Sequence, residues 1–360
     1  MKPDASPRLR DCLARITPVD AALLGDAMSH IDALTKPRGS LGRLEELAAR
    51  LYALRGGQKP LAADPARIVT AAADHGVTVE GVSASPVAVT RQQVHNFMNG
   101  GGGISVLCRV NGIDHQVVDC GVAGDDFLPH PLLVRKKIAH GTANMTKGPA
   151  MNGEECLAAL ELGISLADGA HAESFRCLGT GEMGIGNTTP STALFSALYG
   201  LDPGEIVGPG AGLAPEKIAG KVAVIKQALA VNADAVKSNN PVALLAALGG
   251  LEIATLTGLI LGAASLRMPV VVDGFISTAA CAVALALAPA ARGYCFFAHA
   301  SAEPGHAQVM EHIGEKPLLD LGFRLGEGTG AVFGVVLLRS AAAMFNEMAT
   351  FTDAGVTESK

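Results

Sequence analysis

Tryptophan is absent from this chain of 360 residues, and aromatic residues of all kinds make up only 4%. Chains near this length bury roughly three quarters of their unfolded surface, so the core must be filled by Ala, Leu, Val and Ile. Charged residues are scarce too, at 17% against a usual share of about a quarter, which excludes a disordered chain or a coiled coil. There is no basic excess: 28 Lys and Arg stand against 34 Asp and Glu, a net charge of −6. That balance argues against nucleic acid or an anionic membrane as the main partner. The seven cysteines are Cys12, Cys108, Cys120, Cys156, Cys177, Cys281 and Cys295. Their number is odd and no CxxC pair occurs, which reads as reduced thiols in a cytoplasmic protein, with neither a disulfide frame nor a zinc knuckle. Met1 to Arg15 lacks the apolar centre of a signal peptide. The longest apolar stretch, Ile253–Leu266, has 14 residues, short of the ~20 that a membrane span needs. A buried core helix is the expectation there.

Several catalytic signatures are missing as well. No G-x-S-x-G and no G-x-x-x-x-G-K-[ST] occurs, so neither a nucleophile elbow nor a Walker loop is present. No HxH or HExxH spacing occurs, and no metal site is expected. The double-acid loop by which ordinary phosphoribosyltransferases hold magnesium is also absent. Val271-Val272-Asp273-Gly274 supplies a single acid.

Glycine is what the chain has in plenty. Its 43 glycines cluster around 100–103, 179–186, 208–212 and 326–330. Clustered glycine between apolar runs marks tight turns and backbone brought close to something. Length allows about two domains, or one large domain with an appendage. Residues 20–55 read as two helices broken at Pro37 and Gly39, with Ser40 capping the second. Beyond Pro60, short β-branched or aromatic runs appear at 68–70, 117–118, 175–178, 270–272 and 294–297. Ala/Leu-rich helical stretches lie between or beyond them at 153–170, 188–199, 216–230, 251–266 and 340–348. Alternation of this kind predicts an α/β fold, a parallel sheet covered on both faces. Ligands of such sheets bind beyond the carboxyl ends of the strands. The residues to inspect are therefore Asp74-His75-Gly76, Asp119-Cys120-Gly121, Gly179–Asn187, Asp273-Gly274 and His299–Glu303.

Three constellations stand out. Gly179, Gly181 and Gly184 spell G-x-G-x-x-G after an expected strand, which in form is a dinucleotide fingerprint. Glu182 within it would repel a pyrophosphate. The acid at the right distance for a ribose, Asp202, falls in a Pro-Gly turn. A monophosphate cradle fits better, with the N–H groups of Gly184, Ile185 and Gly186 meeting the anion beside Asn187 and Thr188. A tight strand–helix turn without ligand is the plain alternative. Second, Glu327 stands alone among Gly326, Gly328 and Gly330. The glycines let a ligand approach, and a carboxyl in an apolar recess has a raised pKa suited to a general base. An exposed turn with an ordinary surface Glu is the alternative. Third, Gly81–Pro86 with Val89–Gln93 offers hydroxyls and amides beside an apolar wall, suited to a flat ligand. A helix start with Thr90 as N-cap is the alternative. His75, His299 and His306 read as satisfied loop histidines.

Together these stretches resemble the nicotinate-nucleotide–dimethylbenzimidazole phosphoribosyltransferases. The resemblance runs from Lys36-Pro37-Arg38-Gly39-Ser40-Leu41-Gly42-Arg43-Leu44-Glu45 to Leu325–Ala331. Between these lie Ala73–Val77, Gly179–Thr189, Asp273-Gly274-Phe275 and Ser301-Ala302-Glu303. It implies a three-layer Rossmann-like catalytic domain over 61–339, with a small helical domain from 1–60 and 340–360, in a homodimer. It also implies transfer of the phosphoribosyl group of nicotinate mononucleotide to dimethylbenzimidazole, giving α-ribazole 5′-phosphate and nicotinate in cobalamin nucleotide-loop assembly. Neither cofactor nor metal is implied. Glu327 falls on the family's catalytic base and Glu182 on the Glu of its phosphate loop. Gly184, Ile185, Gly186, Asn187 and Thr188 fall on the phosphate site, together with Lys221 and Ser301. Ser85, Gln93 and Leu325 fall on the benzimidazole pocket. Ala84 and Ala300 are smaller than expected near that pocket, which bears on the choice of base. The rivals are a nicotinamide-dinucleotide dehydrogenase and a non-catalytic nucleotide- or corrinoid-binding protein.

Overall fold

The computed structural model of the chain describes residues 5–357. Six strands form one parallel sheet: β1 (Ala66–Ala73), β2 (Asp114–Gly121), β3 (Leu133–Arg135), β4 (Cys177–Met183), β5 (Val270–Val272) and β6 (Cys295–Phe297). Their order is β3-β2-β1-β4-β5-β6, and each adjacent pair is parallel. Every residue of β1 is buried. That is why these strands read as unbroken apolar runs and not as alternating ones. From β1 the chain first builds outward through β2 and β3. It then returns to the other side of β1 and builds outward through β4, β5 and β6. The order reverses between β1 and β4, where the carboxyl ends of the strands open a crevice.

Helices flank the sheet. Gly153–Ala172, Leu251–Ser265 and Phe275–Leu287 pack on one another on one side, while Thr329–Glu347 packs with Gly103–Asn111 and Arg43–Leu54 on the other. The apolar stretch near 253–266 is the central helix Leu251–Ser265, every residue of which is buried. Thr329–Glu347 is the one described helix with the length and hydropathy of a membrane span. Here its Ala331, Val332, Val335 and Leu338 are buried. The two chain ends meet where Leu34 bridges Thr350. The helix Pro7–Arg15 packs against Leu251–Ser265, on the main body.

Local readings need correction at several points. The helix after Pro37 starts at Arg43 behind Gly42, with no side-chain cap from Ser40. The stretch 216–230 is a short 3-10 turn followed by the helix Ile218–Val231. The stretch 340–348 is the end of the longer helix Thr329–Glu347. β3 is not legible as a strand in the sequence, because unlike the equally short β5 and β6 it is not an all-buried apolar run: only its Leu133 is buried and Arg135 is exposed. The largest correction concerns β4, expected over 175–178, which continues to Met183. Gly179 and Gly181 are therefore strand residues paired to β1, so they cannot wrap a pyrophosphate.

Candidate active site

At the crevice between β1 and β4 lies a cavity of about 240 Å³. Ser85, Gln93, Glu182, Gly184, Ile185, Gly186, Asn187, Thr188, Ser301, Leu325 and Glu327 all line it. Of the expected site residues only Lys221 stands behind the wall, its Nζ donating to Thr188 Oγ1 at 2.7 Å and to the Gly208 carbonyl at 2.9 Å. Ala84 is exposed, Ala300 is half-buried, and neither lines the cavity.

Glu327 is buried, and its carboxylate is held from two sides. The Ile104 N–H donates to Oε2 at 3.1 Å and Gln93 Nε2 donates to Oε1 at 3.3 Å. Ile104 sits in the first turn of Gly103–Asn111, where free amides favour an anion. Asn96 Nδ2 donates to Gln93 Oε1 at 3.1 Å and so turns the amide's N–H group toward Glu327. Burial raises the Glu327 carboxyl above its ordinary range, and the Ile104 amide opposes this in part. The backbone at Glu327 has φ +63°, a left-handed conformation that costs a residue with a side chain on the order of 1–3 kcal/mol.

What holds that conformation is Asp273, at the end of β5. Its Oδ2 accepts the Gly328 N–H at 3.1 Å and its Oδ1 accepts the Ala331 N–H at 2.9 Å. A buried carboxylate thus caps the helix Thr329–Glu347 from another strand. Burial pushes Asp273 up to about 6, opposed by His299 and by these amides. The lone acid that fails as a magnesium loop is therefore a tertiary helix cap. Its signal in the sequence is an acid at a strand end, followed by glycine.

Glu182 enters from β4. Burial pushes its carboxyl up to about 8, Asn187 opposes this, and the charges of Glu252, Asp273 and Glu327 add to it. Burial therefore favours the protonated form of this carboxyl. The Asn187 amide donates to Glu182 Oε2, so Asn187 does not cap its own helix, Thr188–Tyr199.

Of the three amides expected to face a phosphate, that of Ile185 is engaged elsewhere. It donates to Thr90 Oγ1 at 3.1 Å. Thr90 lies inside the helix Ala88–Met98, so it fixes the Gly184–Thr188 turn and is no N-cap. Beneath the turn, His75 Nε2 meets Glu252 Oε1 at 2.7 Å, both buried. His306 Nδ1 accepts the Ser301 N–H at 3.0 Å. Both histidines are satisfied, as expected; His299 is not, since among the described residues neither ring nitrogen has a hydrogen-bond partner and Asp273 lies 3.8 Å away. The roles of Thr90, Ile104 and Glu252 were not legible, because each acts through a partner far along the chain, and Asn96 acts on the site only through Gln93. Asp202 caps the short helix Pro203–Ile206 and pairs with Lys226 at 3.1 Å, away from the cavity. Among the described residues no group of His, Cys, Asp or Glu could hold a metal ion.

Residues 16–356 match the family model described as DBI_PRT, phosphoribosyltransferase. A relative from Nitratidesulfovibrio vulgaris (strain DP4), named nicotinate-nucleotide–dimethylbenzimidazole phosphoribosyltransferase, is 59% identical over 350 residues, 97% of this chain and 98% of its own. A relative of the same name from Pelodictyon phaeoclathratiforme is 50% identical over 351 residues, 98% of each chain. The crystal structure of CobT from Thermus thermophilus superposes with a TM-score of 0.89 at 43% identity, over 94% of this chain and 100% of that one.

Proposed function

The chain belongs to the nicotinate-nucleotide–dimethylbenzimidazole phosphoribosyltransferase family, and from that premise we propose that it transfers the phosphoribosyl group of nicotinate mononucleotide to 5,6-dimethylbenzimidazole. The products are α-ribazole 5′-phosphate and nicotinate, and the step belongs to nucleotide-loop assembly in cobalamin biosynthesis. The observation that carries this reading is the buried Glu327 carboxylate, held by Gln93 and the Ile104 amide at one end of a cavity. Thr188, to which Lys221 donates, lines the same cavity at the turn after β4.

Nicotinate joined to the sugar through its ring nitrogen is already a pyridinium, so it departs as a neutral ring without protonation and without a metal. The acceptor is the harder partner. One benzimidazole nitrogen attacks while the other carries N–H, and positive charge would build on the ring. Glu327, with its raised pKa, removes that proton. Gln93, Ser85 and Leu325 form the wall against which the flat acceptor lies. Lys221, Thr188, Ser301 and the turn at Gly184–Asn187 hold the 5′-phosphate, with Ile185 shaping the turn through its link to Thr90.

Glu182 serves the sugar carbon. The positive pyridinium of the donor lowers the pKa of a carboxyl beside it. Donor binding therefore draws Glu182 from its protonated form toward the anion that stabilises an oxocarbenium-like centre. Attack opposite the departing nicotinate inverts the anomeric carbon and gives the α linkage, and fixing both rings supplies orientation. The reading extends to a homodimer working in the cytoplasm, as the family resemblance implies.

The test is an assay with EDTA present, mixing nicotinate mononucleotide and dimethylbenzimidazole and following α-ribazole 5′-phosphate by mass-resolved chromatography, with Glu327→Ala alongside. Product from the wild type and a large loss in the variant are expected. Product from both would remove Glu327 from its role, and product from neither folded protein would count against this acceptor.

A further inference from the structure

The glycine cluster at 208–212 forms part of the cavity wall, through Pro209, Gly210 and Ala211. Two charged side chains meet at Gly208. Lys221 Nζ donates to its carbonyl at 2.9 Å. Glu303 Oε2 packs so close to its α-carbon that a β-carbon there would lie 1.8 Å away. Neither charge is well satisfied. Lys221 is 2% exposed, and its ammonium, which has three donors, meets two neutral oxygens, on Thr188 and Gly208. Glu303 is 7% exposed and lines the cavity, yet its Oε2 is buried without a hydrogen-bond partner. Burying an ion with so little compensation is expensive.

Each group bears on the other. Burial pushes Lys221 down to about 8, and Glu303 opposes that. Burial pushes Glu303 up, and Lys221, the Gly210 amide and Arg324 oppose that. His306, one turn on, is pushed down to about 4 by burial and stays neutral.

We propose that Glu303 is the stand-in counter-ion of Lys221 in the free protein, and that it gives up this role and takes a proton from solvent when the phosphate of a ribose 5-phosphate ester arrives. This rests on the reading that Lys221 and Thr188 hold the donor's phosphate. A phosphate dianion beside Lys221 replaces the distant attraction with a direct one, and its charge favours the neutral form of a nearby carboxyl. Glu303 thereby keeps Lys221 charged before the donor binds and weakens phosphate binding enough for a phosphorylated product to leave.

The experiment measures binding of inorganic phosphate and of ribose 5-phosphate to wild type, Glu303→Gln and Lys221→Met at pH 7.0 and 8.5. At pH 7.0 Glu303→Gln should bind both probes about tenfold more tightly, the effect of removing one like charge worth ~1.4 kcal/mol. That advantage should grow by pH 8.5, because wild-type binding takes up a proton on Glu303 and the variant has no carboxyl there to protonate. Calorimetry of the wild type in two buffers of different ionisation enthalpy should show net proton uptake on ribose 5-phosphate binding at pH 7.0, a readout that survives if the variant does not fold. Unchanged or weaker binding of inorganic phosphate by folded Glu303→Gln, or no proton uptake by the wild type, overturns the proposal. Weaker binding of ribose 5-phosphate alone would make Glu303 a ribose ligand and overturn it too. If wild type and Lys221→Met bind equally, the phosphate assignment itself fails, and the role of Glu303 falls with it.

Discussion

In β4 the glycines are extended strand residues deep in the sheet, whereas at 326–330 Gly326 and Gly328 take φ of +80° and +102° at the edge of the cavity. One segment is regular and the other is a strained turn, yet each exists to admit the other. A β-carbon at Gly181 would lie 2.2 Å from the Glu327 carbonyl. One at Gly326 would lie 2.3 Å from Glu182 Oε1, and one at Gly328 would lie 3.2 Å from the Gly181 α-carbon. The glycines flanking the two glutamates serve contact between the two segments as much as contact with a ligand. The glutamates themselves differ in kind. Glu327 is gripped by an amide and by Gln93, while Glu182 has a single side-chain amide and lies among the charges of three other acids.

That difference predicts unequal roles. Glu327→Gln should lower kcat by about 10²- to 10⁴-fold, the range for a lost general base, with little change in the melting temperature. Glu182→Gln should cost less, about 10²- to 10³-fold, as expected of one electrostatic contact. Equal losses in steady-state kinetics would dissolve the distinction.

The next effect concerns stability. The folded Glu182 carboxyl titrates near 8, above its ordinary 4.5, so between those values the folded protein holds a proton that the unfolded chain has released. Its contribution to stability is complete below about 4.5, declines as pH rises, and is gone above about 8. The slope is at most about 1.4 kcal/mol per pH unit. Urea melts of the wild type and Glu182→Gln from pH 5 to 8 should show a flatter dependence in the variant. A matching slope in both would assign Glu182 an ordinary titration.

The smallest effect tests the contact itself. Gly181→Ala forces a methyl group against the Glu327 carbonyl and should destabilise the fold by roughly 1–3 kcal/mol, as overpacking does, and lower kcat by displacing Glu327. Wild-type activity in the variant would show that the two segments are not coupled.

The α/β architecture was legible because helical stripes and short β-branched runs alternate along the chain, and each signal is local. Glu182, Asn187, Thr188 and Glu327 were legible from their glycine setting, Ser85 and Gln93 from a stretch of hydroxyls and amides beside an apolar wall, and Ser301 only through the family resemblance. Legibility failed where a residue's meaning depends on a distant partner. Asp273 looked like a failed magnesium loop and caps a helix some 55 residues on, through Gly328. Thr90 looked like an N-cap and engages Ile185, 95 residues away. Gly179 and Gly181 looked like a loop because their spacing imitates one, but pairing with β1 keeps them in the strand.

Composition and periodicity by themselves determined an aliphatic core, a covered parallel sheet and an anionic chain, since hydrophobic period and net charge are properties of the residues alone. The tertiary structure alone decided the raised pKa of Glu182, the geometry of Glu327 and the meeting of Lys221 and Glu303 at Gly208. Burial, dielectric environment and the direction of a hydrogen bond belong to an arrangement in space, and no residue carries them before the chain has folded around it.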